Sequence, residues 1–254
     1  MCVVYRLNIS MSKLITVVTT FNESIWELFA SKTLPTWLKF FDDNINFHFH
    51  TSEFKPLNNS RISYFTDSEN KINFLNRNIN LKRVPHKKIK GPGKKWDTYC
   101  HKVFAQCESA KIINNSYMLF LDADVALLNN FSIKIFEHFL NKNFCGFVGR
   151  DPLLTETGII MYDLSYNNSN KFFDKFEKIY TEDKLFDLDS WCDCSAFDHL
   201  RNISELPFEN LSGKYNKFID PIAVGPLGEY FDHWIGKSSK LKGFSKHRKF
   251  RGKI

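Results

Sequence analysis

The feature that most constrains the fold is a segment in which an unbroken apolar run ends in two aspartates. Tyr117–Leu121 contains no polar side chain except the tyrosine, and Asp122 and Asp124 follow it two residues apart. An apolar run of this length is typical of a strand buried on both faces, as in the parallel sheets of α/β proteins. Ligands bind at the carboxyl ends of such strands. We therefore expect the two carboxylates to lie at a ligand site in an α/β domain.

Two carboxylates so close together favour a bound cation. Their mutual repulsion opposes simultaneous ionisation unless a positive charge relieves it. Hard divalent ions prefer oxygen ligands and often bridge protein carboxylates to substrate phosphates. The alternative interpretation is an ordinary aspartate-rich turn after the strand, since Asp is frequent in turns.

The segment Leu121-Asp122-Ala123-Asp124-Val125 resembles the Asp-x-Asp motif of GT-A glycosyltransferases. It is most similar to glycosyltransferase family 8, the group of glycogenin and the lipopolysaccharide galactosyltransferases. The resemblance implies an α/β fold of GT-A type, a Rossmann-like nucleotide-diphospho-sugar transferase fold whose central, mostly parallel sheet is flanked by helices. It also implies a divalent metal, Mn²⁺ or Mg²⁺, which the two aspartates hold on a nucleotide-sugar donor.

Length and composition agree with this fold. At 254 residues and 43% hydrophobic, the chain can form one sizeable core. We expect a single catalytic domain over residues 1–240, loose over 1–13, and a basic C-terminal tail over 241–254. No apolar run approaches the roughly 18 residues of a membrane span, and residues 1–20 lack a signal-peptide pattern. The six cysteines include no CxxC pair, so we predict reduced thiols, no zinc site and a cytoplasmic location.

Positive charge is concentrated in two segments. Of the net charge of +7, eight lysines and arginines lie between Lys237 and Ile254 without any acidic residue, which leaves residues 1–236 close to neutral. A second basic cluster lies in Leu81–Lys95. Clustered Lys and Arg can bind an anionic membrane surface. We therefore expect the tail to hold the protein peripherally at a membrane.

The start of the chain predicts a βαβ unit. Leu14–Thr20 is typical of a strand, a helix should run from Asn22 or Ser24 to about Phe40 with a break near Pro35, and Asn46–Thr51 should form a second strand. Such a unit favours a right-handed crossover and a parallel sheet. The resemblance places the base and ribose of the donor at the end of the first strand, at Thr19, Thr20, Phe21 and Asn22.

Residues 62–80 fit either a helix or two short elements, and Trp96–Lys111 has the apolar spacing of a helix. Within that helix, Asp97–Lys102 loosely matches a family 8 stretch of alanine, threonine and tyrosine that ends in a basic residue. The resemblance implies that Lys102 contacts the nucleotide diphosphate. The alternative is a solvated helix lysine.

After the aspartates, the sequence predicts a helix over Ser132–Leu140, a strand over Phe144–Gly149 and a helix over Asn168–Thr181. Between them, family 8 has Asn-Ser-Gly followed by an apolar strand that meets the donor sugar. This chain keeps Gly158 but has Glu156 and Thr157 in place of Asn-Ser. The resemblance assigns these three residues to the donor sugar and leaves the identity of that sugar open.

Asp187–Asp198 resembles the Asp-Gln-x-x-Leu-Asn motif near the acceptor site of family 8, with Asp193 at the aspartate and Cys194 at the glutamine. In retaining enzymes that glutamine lies by the reacting carbon, whereas inverting GT-A enzymes use a carboxylate as base on the acceptor hydroxyl. We predict that Asp193 is such a base, with its pKa tuned by burial, and that Asp189 caps a helix. The stereochemistry stays open.

Near the end of the chain, Asp220–Val224 predicts a strand or extended segment, and His233-x-x-Gly236 matches the family's closing motif His-x-x-Gly-x-x-Lys. Ser239 stands where the lysine is expected. The resemblance makes Asp122, Asp124 and His233 the metal ligands, and it places Gly236 and the flanking lysines Lys237 and Lys240 at the diphosphate. An imidazole ligand favours Mn²⁺. The alternative is a histidine packed in the core.

Together these patterns predict a metal-dependent glycosyltransferase that moves a sugar from a UDP- or GDP-sugar to a glycan, lipid-linked or protein acceptor. A haloacid-dehalogenase-type phosphatase also uses Asp-x-Asp, but at its first strand. A GT-A-like nucleotidyltransferase needs a glycine-rich signature after the first strand, which is missing here. A nucleic-acid-binding protein would depend on the two basic clusters, which lack interleaved aromatics apart from Phe244 and Phe250. We therefore expect no nucleic-acid partner.

Overall fold

The structure is a computed structural model that describes residues 13–81, 96–113, 116–215, 217 and 220–251, except for the side chain of Lys237. The predicted loose start over 1–13 and the basic cluster over 81–95 therefore lie almost entirely outside the described residues. None of the described helices is both long and apolar enough to cross a membrane.

A central sheet of seven strands organises the described part of the chain. The strands of the molecule are β1 (Ile15–Thr20), β2 (Asn46–His50), β3 (Ile62–Phe65), β4 (Tyr117–Leu121), β5 (Val125–Leu127), β6 (Cys145–Arg150), β7 (Leu153–Asp163), β8 (Phe208–Asn210) and β9 (Phe231–His233). The sheet order is β3-β2-β1-β4-β7-β6-β8, and β5 pairs with β9 in a separate antiparallel ribbon. Only β7 runs against its two neighbours, so the sheet is mostly parallel, as predicted.

Helices flank the sheet. They are α1 (Glu23–Ile25), α2 (Ser31–Phe40), α3 (Glu69–Asn78), α4 (Trp96–Ile112), α5 (Ile133–Leu140), α6 (Ser169–Thr181), α7 (Asp193–Ile203), α8 (Pro221–Val224) and α9 (Gly236–Lys242), with 3₁₀ turns at Lys184–Asp187, Gly213–Tyr215, Pro226–Glu229 and Arg248–Phe250. The predicted helices over 96–111, 132–140 and 168–181 are confirmed, and residues 62–80 form two elements, β3 and α3.

The apolar run before the aspartates is buried on both faces, as its sequence predicts. All five residues of β4 are buried. Leu119 and Leu121 pack in one core cluster with Val17 and Trp37, whereas Met118 and Phe120 pack in the other with helices α4 and α6. Because side chains alternate along a strand, a strand inside a two-sided core must be apolar throughout.

Three local predictions are wrong. The helix is not broken near Pro35, because α2 continues through it and the irregularity lies earlier, at the π-helical segment Trp26–Ala30. Asp220–Val224 is a short helix and not a strand, since the Asp220 side chain accepts a hydrogen bond from Ala223 N and Pro221 occupies the first helical position. Asp189 caps no helix, because α7 begins at Asp193 and its N-cap residue is Cys192.

Candidate active site

A cleft of about 470 Å³ opens at the carboxyl ends of β1, β2 and β4. Thr20, Phe21 and Asn22 form one wall, and Asp122–Asp124 forms another. This is the position expected for a ligand on a parallel sheet. The predicted residues Lys102, Ala123 and Lys240 also line the cleft, whereas Thr19 is fully buried and is not among the lining residues. Residues that sequence reasoning missed complete the lining: Ile25, Phe29, His50, Ser52, Lys71, Asp97, Thr98, Tyr99 and His101.

Beside the cleft, Lys102 joins residues from three other parts of the chain. Its Nζ lies 3.0 Å from both carboxylate oxygens of Asp122 and 2.7 Å from Asp193 Oδ2, and it donates to Thr157 Oγ1 at 3.1 Å. The Thr157 hydroxyl donates in turn to Asp193 Oδ2 at 2.5 Å. We call Lys102, Asp122, Thr157 and Asp193 the lysine cluster. The alternative of a solvated helix lysine is wrong, because only 9% of Lys102 is exposed.

Electrostatics favours the charged form of this lysine. Burial alone lowers the pKa of Lys102, but the carboxylates of Asp122 and Asp193 outweigh it and raise the pKa well above the ordinary value. Asp193 is the first residue of α7, so its carboxylate also lies at the positive end of a helix dipole. The lysine cluster is thus a closed network in which each charge has a partner.

A second group of ligand-type atoms surrounds His233. Asp122, Glu156 and His233 each offer one donor atom, and these atoms lie within 4.8 Å of one another. His233 Nε2 is also 3.4 Å from Asp124 Oδ1. We call His233, Asp122, Asp124 and Glu156 the histidine cluster. It brings together the three predicted metal ligands, and it excludes the alternative of a histidine packed among apolar side chains alone.

Strand pairing positions the histidine cluster. In the β5–β9 ribbon, Val125 pairs with His233, and Trp234 N donates to Asp124 O at 3.0 Å. Across the main sheet, Asp122 N donates to Gly158 O at 2.9 Å, which brings the end of β4 beside β7. The two strands that follow and precede the aspartates therefore fix the histidine and the glutamate on either side of them.

Gly158 leaves little space for a side chain. A Cβ at this position would lie 3.1 Å from His233 Cε1 and 3.3 Å from Glu156 Oε1, tighter than ordinary contacts. The Gly158 N–H also donates to Glu156 Oε1 at 3.1 Å. The glycine of the motif thus admits the imidazole and the carboxylate to the same place, which sequence reasoning did not foresee.

Comparison with other proteins places this arrangement in a known fold. No protein-family model and no curated protein sequence matches the chain. Among solved structures, the galactosyltransferase LgtC in complex with donor and acceptor sugar analogues has a TM-score of 0.53 at 12% identity, over 94% of this chain and 100% of that one. The bifunctional glycosyltransferase WbbM has a TM-score of 0.55 at 10% identity, over 96% of this chain and 52% of that one. The glycosyltransferase GlyE of Streptococcus pneumoniae has a TM-score of 0.53 at 11% identity, over 93% of this chain and 58% of that one.

The chain has the α/β fold of GT-A glycosyltransferases. At such low identity the likeness establishes the fold alone, and the function has to be argued from the site.

In this GT-A fold, the two aspartates of the motif lie in different electrostatic environments. Burial raises the pKa of Asp122 to about 6, and the charges of Asp124 and Asp193 add to the increase although Lys102 opposes it. Burial also disfavours the charged form of Asp124, but His233 and Lys240 outweigh burial and hold the pKa of Asp124 below its ordinary value. Lys240 Nζ lies 2.7 Å from Asp124 Oδ2 and over the ring of Phe29, 4.1 Å from its centroid.

The other residues of the closing motif lie at the start of α9. Gly236 is exposed and has a φ of +77°, a conformation that favours glycine. Ser239, which stands at the position of the family's lysine, is 2% exposed, whereas Lys240 reaches Asp124 from the next position. Lys237 belongs to α9, but its side chain lies outside the described residues. Of the two lysines predicted to flank Ser239 at the diphosphate, Lys240 is therefore the one whose described side chain lies at the site.

Asp220 supports His233 from the far side of the ring. Asp220 Oδ1 lies 3.9 Å from His233 Nδ1, and Asp220 Oδ2 accepts a hydrogen bond from Ser245 Oγ at 2.9 Å. Ser245 N donates to the buried carboxylate of Asp232 at 3.0 Å. Sequence reasoning missed Asp220, whose region was predicted as a strand. These bonds also join the predicted basic tail to the body of the protein.

The histidine cluster fits a divalent cation. Asp124 Oδ1 is buried and has no hydrogen-bond partner among the described residues, and the imidazole atom that faces it is His233 Nε2, at 3.4 Å. Buried polar atoms without a partner are costly unless a ligand satisfies them. The donor set consists of carboxylate oxygens and one imidazole nitrogen, which suits Mn²⁺. Mg²⁺ prefers oxygen ligands alone, so it suits the carboxylates but not the imidazole.

The contacts of Glu156 add a possible metal ligand to its predicted role at the donor sugar. Its Oε2 pairs with Arg150 Nη1 at 2.8 Å, and the residue is 8% exposed. The sequence resemblance assigned Glu156 to the donor sugar, whereas the structure places its carboxylate among the ligand-type atoms of the histidine cluster. The available signal was its spacing of two residues from Gly158, since residues i and i+2 of a strand share a face.

Proposed function

We propose that this protein is a metal-dependent glycosyltransferase of GT-A type, similar to glycosyltransferase family 8. One observation carries the proposal: a cleft at the carboxyl ends of parallel strands runs from Thr20–Asn22 to the aspartates of the histidine cluster. Its volume of about 470 Å³ suits a small-molecule ligand. A nucleotide sugar, UDP- or GDP-linked, would lay its base and ribose on the first wall and its diphosphate at Asp122–Asp124. The acceptor is a glycan, a lipid-linked glycan or a protein.

The charges around the cleft support departure of a diphosphate. Asp122, Asp124 and His233 would hold the divalent ion, Mn²⁺ in preference to Mg²⁺. When bound, that ion supplies Lewis-acid stabilisation of the negative charge on the leaving group. Lys240 adds an ammonium at the same edge, and Lys102 keeps Asp122 and Asp193 in fixed orientations through the contacts of the lysine cluster.

Asp193 is proposed as the base that accepts the proton of the acceptor hydroxyl. Lys102 and Thr157 both donate to its Oδ2. On its Oδ1, the described hydrogen bonds include only the weak thiol donor Cys194, at 3.7 Å. Oδ1 therefore has the capacity to take a proton while Oδ2 holds the carboxylate in place. Such a base belongs to an inverting reaction, and the anomeric configuration of the product tests it.

The decisive experiment is turnover of a panel of UDP-, GDP- and dTDP-sugars with Mn²⁺, with the anomeric product read by NMR. We expect one donor to be hydrolysed slowly and transferred faster once an acceptor is present, with activity lost in EDTA. Asp193→Asn should abolish transfer and leave Mn²⁺-dependent donor binding intact, whereas Asp187→Asn, an exposed control, should do neither. Undiminished turnover in EDTA, or hydrolysis of p-nitrophenyl phosphate without any sugar transfer, would overturn the proposal in favour of other chemistry.

The tail adds a proposed contact with a membrane at its cytoplasmic face. Leu241, Phe244 and Phe250 are 66%, 50% and 43% exposed. Lysines 242, 246 and 249 are exposed beside them. Apolar side chains interleaved with cations are typical of peripheral binding to anionic lipid. In flotation assays we expect binding to phosphatidylserine vesicles that falls with salt and with Phe244→Ser. Equal binding by wild type and Phe244→Ser, or equal binding to uncharged vesicles, would contradict this contact.

A further inference from the structure

The two cysteines that flank Asp193 form a close cluster with it. One donor atom from each of Cys192, Asp193 and Cys194 lies within 4.8 Å of the others. Cys192 is fully buried and Asp193 is 1% exposed, whereas Cys194 is partly exposed and gives solvent access to the group. Neither thiol lines the donor cleft. The two thiols therefore lie outside the cleft, whereas Asp193 joins them to the lysine cluster through Lys102.

The beginning of α7 brings the three side chains together. Cys192 is the N-cap residue, with extended backbone at φ −132° and ψ 165°, and helical backbone begins at Asp193. This change of backbone direction gathers three consecutive residues that a regular strand would place on alternate faces. The contact between the two thiols lowers the pKa of Cys192 to about 7, whereas the same contact, together with burial, raises the pKa of Cys194 well above its ordinary value, so Cys192 is the thiol that ionises first.

The contacts of the two thiols are weak ones that a metal bond can replace. Cys192 Sγ lies 3.3 Å from Ser190 Oγ, and Cys194 Sγ lies 3.3 Å from Thr157 Oγ1. Cys194 also donates to Asp193 Oδ1 at 3.7 Å. Sulfur is a poor donor and acceptor in all three contacts, and only the contact with Asp193 involves a charged group.

Charge balance favours a divalent ion at this cluster. The ammonium of Lys102 lies 2.7 Å from Asp193. Because Lys102 is shared with Asp122, two thiolates, the two carboxylates and that ammonium together carry three net negative charges, of which one divalent cation neutralises two. Sulfur ligands select zinc-like ions over Mg²⁺ and Mn²⁺, which prefer oxygen. The cluster thus differs in ligand chemistry from the histidine cluster.

We propose that Cys192, Asp193 and Cys194 form a second cation site, which takes a thiophilic divalent ion such as Zn²⁺. Binding forms two metal–sulfur bonds and one metal–oxygen bond, and the two thiol protons pass to solvent. Water completes a tetrahedral set. Because the sequence has no CxxC pair, we predicted no zinc site. In the structure, Cys192, Asp193 and Cys194 offer a set of three ligands without such a pair. If Asp193 is the base of the proposed transferase, occupation of this site inhibits transfer, a consequence that rests on the proposed function.

Cobalt titration tests the site without any assay of activity. Co²⁺ bound by thiolates has an intense near-ultraviolet sulfur-to-metal absorption that Co²⁺ on oxygen and nitrogen ligands lacks. We expect this band at one equivalent in the reduced full chain, displaced by Zn²⁺ and not by Mg²⁺. Cys192→Ser and Cys194→Ser each remove a ligand and should weaken Co²⁺ binding by at least the roughly 10–100-fold that loss of an outer-shell partner costs. Cys107→Ser is the matched control, since it removes a buried thiol elsewhere and should keep the band.

A second measurement covers variants that fail to fold. In wild type, Zn²⁺ should protect Cys194 from alkylation by iodoacetamide, as located by peptide mass spectrometry, and Mg²⁺ should not. Absence of the sulfur band in reduced wild type, or its persistence in folded Cys192→Ser, would overturn the site. If wild type shows no transferase activity at all, the proposed function is overturned but this cation site is not, since neither the band nor the protection depends on a sugar donor.

Discussion

The lysine cluster and the histidine cluster share Asp122 and yet differ in how completely their polar groups are paired. In the lysine cluster, Lys102 has three partners and both carboxylates are bonded. In the histidine cluster, Asp124 Oδ1 is buried without a hydrogen-bond partner among the described residues. The difference shows that a buried lysine satisfies the carboxylates of the first cluster, whereas in the second the charges of Lys240 and His233 leave Asp124 Oδ1 without a hydrogen bond, so that this oxygen can bind an added cation.

The two aspartates of the motif have different electrostatic environments in the two clusters. Asp122 and Asp124 are two residues apart, but the pKa of the first is raised to about 6, chiefly by burial, and that of the second is lowered by His233 and Lys240 against the effect of burial. The four predictions below test the division between the clusters, in order of expected size.

Removal of the internal cation should have the largest effect. Lys102→Met leaves the carboxylates of Asp122 and Asp193 buried without their ammonium, and breaking such a pair costs about 3–5 kcal/mol. Urea unfolding measures the loss. Lys111→Met on the same helix is the control, because the Lys111 side chain is 48% exposed although its partner Glu177 is buried, so the loss should be smaller than for Lys102→Met. Equal losses in the two variants would mean that the lysine cluster is not a buried network.

Asp124→Asn should disable the histidine cluster and spare the fold. The substitution keeps the shape of the side chain and removes a ligand charge, so Mn²⁺ binding by calorimetry should be lost. A bound metal ion contributes several kcal/mol to the transition state, so donor turnover should fall by about 100-fold or more. Asp43→Asn, at a fully exposed carboxylate, is the control. Normal Mn²⁺ affinity in Asp124→Asn would move the cation site elsewhere.

Loss of the proton on His233 should make the metal-free protein less stable as pH rises. Burial opposes the charge, but Asp124 raises the pKa of His233 from 6.5 to about 10. A histidine whose pKa is raised by folding contributes stability that is present below pH 6.5 and lost as pH rises through the folded value. Between pH 7 and 9 in EDTA, the free energy of unfolding should therefore fall by about 2 kcal/mol more in wild type than in His233→Gln.

The control for this pH dependence is His199→Gln, which replaces an exposed histidine and should keep the wild-type slope. Identical slopes in wild type and His233→Gln would show that His233 is neutral in the folded protein.

Glu156→Gln should have the smallest effect and decides to which group Glu156 belongs. If its carboxylate acts within the histidine cluster, the Mn²⁺ dissociation constant should rise by about tenfold, even without a donor. Glu205→Gln, at an exposed position, should leave it unchanged. A raised KM for the donor with unchanged Mn²⁺ affinity would return Glu156 to the role of a sugar contact.

Much of the fold follows from local pattern. The apolar run of β4 can only be a strand inside a two-sided core, and the helical spacing over residues 96–111 predicts α4 almost to its end. The wrong predictions of secondary structure lie where a single side chain determines the backbone conformation. Asp220 turns a β-branched segment into a short helix by capping it, and Pro35 is accommodated inside α2.

The sequence by itself determined that Asp122 and Asp124 end a buried strand, because a run of apolar side chains and the spacing of two carboxylates are local facts. The tertiary structure alone decided that Lys102 neutralises one aspartate, that Glu156 approaches His233, and that Ser245 supports Asp220. Each of these contacts joins residues at least 20 positions apart in the chain, as for Lys102 and Asp122. Such contacts depend on sheet order and helix packing, which no short pattern of residues encodes.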